Sequence, residues 1–187
     1  MNESQFKTLT KSEQLNSTLD GIAYWAFVSK PKVSEKYKTT KYTINLCLDE
    51  ANQRKALAYG LKVKPASKSV PMPFVEITRK VKDGIDAASI KPQLVDSAQH
   101  PIKDGTLIGN GSEVRVKFGR YWYEAQGGGV GTSLFKVQVL KMVAFDGSKD
   151  NDLISDGSGF IADTASGAAD EFDLDTFLDE DNEEAVA

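Results

Sequence analysis

The sequence has only one cysteine and one histidine, and its last 38 residues contain no lysine or arginine. A single cysteine excludes an intrachain disulfide, and one cysteine with one histidine cannot supply a zinc site or a nucleophilic pair. No segment approaches the run of about 18 apolar residues that a membrane-spanning helix needs, and the polar N-terminus lacks a signal-peptide core. These absences favour a soluble, cytoplasmic protein that is not an enzyme, makes no membrane contact and needs no cofactor or metal.

The charge of the chain is divided between two regions. All 23 lysines and arginines lie in residues 1–149 with 14 of the 27 acids, which gives this region a formal charge of +9. The other 13 acids lie in residues 150–187 and give that region −13. A basic body is the electrostatic signature of a protein that binds a polyanion. An acidic tail can imitate that polyanion or attract basic partners.

The same division predicts one folded domain over residues 1–149 and a tail over residues 150–187. A body of this size buries about 68–70% of the surface that its unfolded chain exposes, so it needs no disulfide or metal to fold. The tail begins with a stretch rich in Gly, Ser, Ala and Asp, which cannot bury enough apolar surface to fold. We therefore expect the tail to be disordered.

Apolar and polar residues alternate along most of the body with a period of two, which predicts β-strands. The predicted strands cover residues 21–29, 37–48, 74–82, the part of 106–124 after a turn at 109–111, and 133–145. Asp49 is the expected N-cap of a helix over residues 50–61. The expected connections are a basic one at residues 30–36, a loop at 62–73 and a flexible glycine-rich one at 126–132. Residues 1–19 are expected to be an arm or a short helix.

Long strands without signals for parallel crossovers predict a mainly β fold. The expected architecture is an OB-fold-like antiparallel barrel with one short helix and a disordered acidic tail. A β-sandwich is the alternative.

Basic and aromatic residues interleave along the body. Sequence-independent binding of single strands requires cations that follow the phosphates and flat rings on which unpaired bases stack. Three consecutive rings in the aromatic run cannot all point into a core, because side chains alternate along a strand. The predicted DNA-binding residues are Trp25, Lys30, Lys32, Lys36, Tyr37, Lys38, Lys41, Tyr42, Arg79, Lys80, Lys82, Arg115, Lys117, Arg120, Tyr121, Trp122 and Tyr123.

Other notable residues favour ordinary structural roles. Cys47 lies in an apolar alternating run, which indicates a core thiol rather than a reactive one. His100 stands beside a proline and is expected in a surface loop. The glycines at 127–131 lack the Gly-Lys-Ser/Thr of a phosphate loop, and the tail acids lack the spacing of a calcium loop.

Apolar residues recur among the acids in the second half of the tail. Besides a purely solubilising tail, two interpretations are open. The segment is a docking peptide for a basic-rimmed apolar pocket of a partner, or it occupies the body's own groove until nucleic acid displaces it. The predicted partner-binding residues are Asp170, Glu171, Phe172, Asp173, Leu174, Asp175, Phe177 and Leu178.

The chain resembles the single-stranded DNA-binding proteins of tailed bacteriophages, which have an OB-fold body and an acidic C-terminal tail. The likeness is carried by residues 105–118 (GTLIGNGSEVRVKF), the aromatic run after them and the tail, and it extends loosely over most of the chain. It implies a protein that coats unwound DNA during phage replication and recombination in the host cytoplasm. It further implies that the tail contacts the replicative DNA polymerase and the helicase-primase and regulates access to DNA.

The tail departs from the family pattern at its end. Tails of this type often end in an aromatic residue, whereas this chain ends Glu-Ala-Val-Ala and has its last ring at Phe177. The expected docking element is therefore the internal segment 172–178. The sequence leaves open whether the protein forms a homodimer.

Three other classes of protein remain as alternatives. An acidic-tailed interaction protein or chaperone would use the tail for its main role, and a cold-shock-like barrel would bind RNA. A nuclease would need a carboxylate cluster in the body, where the acids are scattered and Asp83 and Asp86 are the nearest pair. The leading hypothesis is sequence-independent binding of single-stranded DNA without catalysis.

Overall fold

The computed structural model describes residues 1–145, so the predicted tail and its partner-binding segment lie outside the described residues. The elements in chain order are α1 Glu3–Lys7, α2 Lys11–Leu15, β1 Ser17–Ser34, β2 Thr39–Cys47, α3 Glu50–Ala58, β3 Phe74–Val81, β4 Gln93–Val95, β5 Ser112–Tyr123 and β6 Gly129–Lys141. Short 3-10 turns cover Ala87–Ile90 and Ala125–Gly127.

The six described strands form one sheet in the order β3-β2-β1-β5-β6-β4. Neighbouring strands are antiparallel, except that the short β4 runs parallel to β6. The 18-residue β1 reaches both halves of the sheet, because residues 17–23 pair with β5 and most of the strand pairs with β2. The mainly β prediction is confirmed. The two sheets of the alternative sandwich are not present in residues 1–145.

The hydrophobic core lies on the inner face of this curled sheet. On β5, the buried Val114, Val116 and Phe118 alternate with exposed charged residues. Curling brings β3 beside β6, where the Thr78 N–H donates a 3.0 Å hydrogen bond to the Thr132 hydroxyl. This contact partly closes the curled sheet.

Three short helices accompany the described strands, where the sequence predicted one over residues 50–61 and an arm or a short helix over residues 1–19. α3 begins at the predicted cap, because the Asp49 carboxylate accepts a 2.7 Å hydrogen bond from the Asn52 N–H. α1 and α2 each begin with a capping box, at Asn2 and Thr10, and α1 buries the ring of Phe6. No helix in residues 1–145 is long and apolar enough to cross a membrane.

Two segments predicted as connections are largely strand. β1 continues through residues 30–34, and Pro31 falls where the β1–β2 register shifts, so its missing N–H interrupts no regular ladder. Residues 129–132 belong to β6 and pair with the aromatic end of β5. The prediction of a flexible connection is wrong for these residues because rings on the neighbouring strand supply the packing that glycine lacks.

The lone cysteine and histidine occupy the environments that the sequence predicted. Cys47 is 1% exposed and packs in a small cluster with Val70 and Phe74. Burial raises the pKa of its thiol, while a weak contact to the Met72 carbonyl opposes that shift. His100 is exposed in the loop after β4.

Candidate nucleic-acid interface

A groove of about 950 Å³ lies between the β2–β3 pair and the hairpin of β5 and β6. The loop between α3 and β3 and the first residues of the chain also line it. Its lining includes four lysines and three rings, namely Lys41, Lys62, Lys64, Lys80, Tyr121, Trp122 and Tyr123. The groove therefore combines cations with aromatic surface.

The tyrosine rings of the hairpin lie against glycines on the opposite strand. Tyr121 pairs with Gly131 and Tyr123 with Gly129. A Cβ added to Gly131 would stand 2.5 Å from the Tyr121 ring, and one added to Gly129 would stand 2.7 Å from the Tyr123 hydroxyl. Only glycine leaves room for rings this close to the β6 backbone. Tyr121 keeps 46% of its surface exposed, which leaves ring area for a flat ligand such as a base.

Trp122 points to the other face of β5 from its tyrosine neighbours, as strand alternation requires. Its ring packs against Phe6 of α1 with a centroid distance of 6.2 Å, and it is half-buried. A Cβ on Gly128 would stand 2.8 Å from this ring. Trp122 therefore ties the hairpin to α1 and lines the groove with the remainder of its surface.

Three lysines lie abreast across β1, β2 and β3. Lys32 is directly opposite Lys41, and Lys41 is directly opposite Lys80. Like charges in directly opposed positions destabilise a sheet. A polyanion bound across these strands offsets that repulsion, so the register itself favours an anionic ligand.

One carboxylate lies among these cations. Glu76 on β3 accepts a 2.7 Å hydrogen bond from Lys41 and another of 2.7 Å from Lys64. Burial opposes ionisation of Glu76, but the two lysines outweigh that effect and lower its pKa to about 2. Glu76 is therefore ionised at neutral pH. It pairs with two lysines that could otherwise pair with a phosphate, so it competes with a bound polyanion.

The structure brings five of the predicted DNA-binding residues into this groove, namely Lys41, Lys80, Tyr121, Trp122 and Tyr123. Six more are at the end of the sheet beside it, around the β1–β2 turn and the end of β3. These are Lys30, Lys32, Lys36, Tyr37, Lys38 and Lys82, and their side chains are exposed. Tyr37 has 70% of its surface exposed at the tip of the turn.

Trp25 lies outside the groove lining. Its backbone adopts a positive φ of 50° and its N–H donates a 2.8 Å hydrogen bond to the Asn110 side chain. The indole N–H donates to the Ser69 carbonyl at 3.1 Å, and the ring is 47% exposed. Asn110, in the segment that carried the family resemblance, therefore holds the backbone of this aromatic residue.

Two predicted residues are in the interior, and their assignment to the interface is wrong. Tyr42 is 2% exposed, and its hydroxyl donates a 3.0 Å hydrogen bond to the Ala87 carbonyl. Arg120 is 6% exposed and donates to the Ser17 hydroxyl and to the carbonyls of Tyr59 and Glu13. Its guanidinium joins α2, α3, β1 and β5 rather than facing a ligand.

The remaining predicted cations lie elsewhere on the surface. Arg115 makes a bidentate pair with Asp20, with both hydrogen bonds at 2.8 Å. This pairing raises the pKa of Arg115 and lowers that of Asp20. Arg79 and Lys117 line a separate basic pocket beside the hairpin.

Sequence reasoning missed several residues of the groove. Lys62 and Lys64 come from the proline- and lysine-rich loop, whose basic composition was the available signal. The glycines under the tyrosine rings and the paired Glu76 had no signal beyond their spacing. In residues 1–145 no group of three or more His, Cys, Asp or Glu side chains is arranged to hold a metal ion.

The described residues thus form a curled, mainly β sheet with a groove that combines lysines and aromatic rings. No protein-family model and no curated protein matches the chain.

The chain is similar to several solved structures. The single-stranded DNA-binding protein from bacteriophage Enc34 in complex with ssDNA is similar at a TM-score of 0.53 and 12% identity, covering 73% of this chain and 94% of that one. A second structure of the Enc34 protein matches at 0.50 and 13%, covering 77% and 93%. Bacteriophage T7 gp2.5, a single-stranded DNA-binding protein, matches at 0.49 and 19%, covering 79% and 99%. The Enc34 likeness shows a shared fold, which confirms the resemblance stated from the sequence.

Proposed function

We propose that this protein binds single-stranded DNA without sequence preference in the groove between the β2–β3 pair and the β5–β6 hairpin. The observation that carries the proposal is that the rings of Tyr121 and Tyr123 pack against glycines and line the same groove as four lysines. Every base has a flat face, so stacking on such rings is tolerant of sequence.

The location of the groove supports the proposal independently. In OB-folds, oligonucleotides bind across the face of the second and third strands and the loops at its ends. Here β2 and β3 contribute Lys41, Thr78 and Lys80, and the loop between β5 and β6 contributes Ala125 and Gly127. The Enc34 protein, which has this fold, forms a complex with ssDNA, and that supports the same ligand here.

The biological role belongs to the same proposal. Body residues 1–149 coat unwound DNA during phage replication and recombination in the host cytoplasm. The acidic tail, residues 150–187, competes with DNA for the basic body and recruits the replicative polymerase and the helicase-primase. Its −13 charge against +9 on the body supports the competition. A homodimer fits this role as well as a monomer does.

The test is oligo-dT binding followed by the anisotropy of a labelled oligonucleotide. Replacing Tyr121 with Ala removes one stacking ring, and loss of about 1–3 kcal/mol per base weakens binding by roughly 5- to 150-fold. Tyr121→Phe keeps the ring and is the matched control, with an expected change of less than about twofold.

Absence of oligo-dT binding by the intact protein would refute the proposal, as would equal affinities for the Ala and Phe variants. Competition with matched RNA and duplex oligonucleotides separates the other classes. Preference for RNA would favour the cold-shock-like alternative. Binding of proteins but of no nucleic acid would favour the acidic-tailed interaction protein.

A further inference from the structure

A second concave surface, of about 490 Å³, lies on the outer side of the β5–β6 hairpin. Arg79, Lys91, Lys117 and Lys136 line it with Phe135 and Gln93, and no acidic residue does so. Four cationic side chains around one pocket are the residue types that bind an anion. They are separate from the four lysines of the groove.

Three of these cations have no carboxylate partner within residues 1–145. Lys91 forms an ion pair with Asp104, whereas none of Arg79, Lys117 and Lys136 is paired with an acid. Lys117 and Lys136 are directly opposite each other on β5 and β6. The sheet thus holds two like charges side by side without a counter-charge, and a bound phosphate would offset their repulsion.

The pocket adjoins the groove along one face of β5. The ring of Phe135 covers Gly119, where an added Cβ would stand 2.8 Å from the ring. Gly119 is two residues before Tyr121 and therefore faces the same side, at a distance of roughly 7 Å along the strand. Lys117 follows on that side two residues further back. A continuous row of side chains therefore runs along this face of the hairpin. It begins with the rings of Tyr123, Tyr121 and Phe135 and ends with the lysine pair.

This row of side chains ends next to an arginine whose charge is neutralised by a carboxylate. Two residues beyond Lys117, the guanidinium of Arg115 is held by Asp20 in its bidentate pair. The guanidinium of Arg79 lies 5.6 Å from the centroid of the Phe135 ring, so it covers that ring and adds charge at the junction. On this face of β5, the unpaired Lys117 therefore lies between the paired Arg115 and the rings of the groove.

We infer that the pocket between α2, β3, β4 and the β5–β6 hairpin binds the phosphates of the same single strand after it leaves the groove. This inference rests on the proposed function and extends the path of the strand. From Tyr123 to Lys117 the path measures roughly 20 Å along β5. A strand long enough to reach the pocket gains contacts that a short one lacks.

The experiment compares two lengths of labelled oligo-dT over a salt series, about 5 and about 15 nucleotides, near the ends of the range that one OB-fold covers. The variant is Lys117→Gln with Lys136→Gln. Its control is Arg54→Gln with Lys55→Gln, which removes the same charge from the exposed surface of α3. Each lost phosphate contact lowers the salt slope by about 0.7, so the pocket variant should lose about 1.4 with the long oligonucleotide.

The expected result is this loss with the long oligonucleotide, an unchanged slope with the short one, and no change in the control. Equal losses at both lengths would overturn the inference, because they would indicate a general effect of charge. An unchanged slope at both lengths would also overturn it. Failure of the unsubstituted protein to bind either length would instead refute the proposed function. The pocket variant removes a like-charge pair, so its thermal unfolding should confirm an intact fold.

Discussion

Replacing Glu76 with Gln should tighten DNA binding while it destabilises the fold. Glu76 lines the groove and holds both Lys41 and Lys64 at 2.7 Å. The substitution removes one negative charge and releases two lysines to phosphate. If the groove binds DNA, Glu76→Gln should therefore raise the affinity for DNA although it lowers the stability of the fold.

The two effects have separable magnitudes. A shift of the Glu76 pKa from 4.5 to about 2 corresponds to about 3 kcal/mol of stability at neutral pH. Because the folded pKa is the lower one, this stability is present above pH 4.5 and is lost as the pH falls toward 2. A negative charge about 7 Å from a phosphate costs about 2 kcal/mol at an effective dielectric of about 20, so its removal should tighten binding roughly tenfold after screening at low salt.

Urea unfolding and oligo-dT anisotropy measure the two effects. Glu113→Gln is the matched control, since Glu113 makes only a 3.8 Å exposed pair with Lys141 away from the groove. We expect E76Q to lose up to about 3 kcal/mol and to show a salt slope steeper by up to about 1.4 for two released lysines. Weaker binding by folded E76Q than by the control would refute the reasoning. Glu76 would then hold the lysines in their DNA-binding positions instead of competing with DNA.

Three further changes test the assignments of buried and exposed residues. Arg120→Ala should lower the urea-measured stability by about 3–5 kcal/mol, because it removes hydrogen bonds to the buried Ser17 hydroxyl and to two partly buried carbonyls, while folded protein keeps its oligo-dT affinity. Gly131→Ala should displace the Tyr121 ring and weaken oligo-dT binding within the range expected for Tyr121→Ala; unchanged anisotropy titrations would argue against stacking there. Tyr42→Phe should lower the free energy of unfolding, measured by thermal unfolding, by about 1 kcal/mol, because it removes the hydrogen bond to the Ala87 carbonyl. Oligo-dT binding should stay unchanged, and weaker binding would show that Tyr42 belongs to the interface after all.

Strand alternation predicted most of the fold because one face of each strand is buried. The helix after β2 was predicted to its first residue by the Asp49 cap. The glycine-rich start of β6 could not be predicted, since its pairing depends on rings contributed by β5. Local composition favours a loop there, and only the cross-strand contact reverses that preference.

The candidate site was predicted in part for a related reason. The aromatic run of β5 indicated at least one outward ring, and Tyr121 is that ring. Tyr42 shared its strand face with Ile44 and Leu46, so the alternation already placed it inside, and grouping it with neighbouring lysines was the error. Arg120 occupies an inward position at the end of the barrel, where backbone carbonyls of other elements satisfy it. A sequence does not show such long-range partners.

The shielded sulfur of Cys47 gives this protein a practical advantage for optical studies. It is the only cysteine in the chain, it is 1% exposed and burial raises the pKa of its thiol, which disfavours the reactive thiolate. A cysteine introduced at an open position, such as Tyr37 at the tip of the β1–β2 turn, would therefore react with a maleimide dye while Cys47 does not. A single fluorophore can therefore be attached at one chosen position, and its signal can report whether added oligonucleotide reaches that part of the surface.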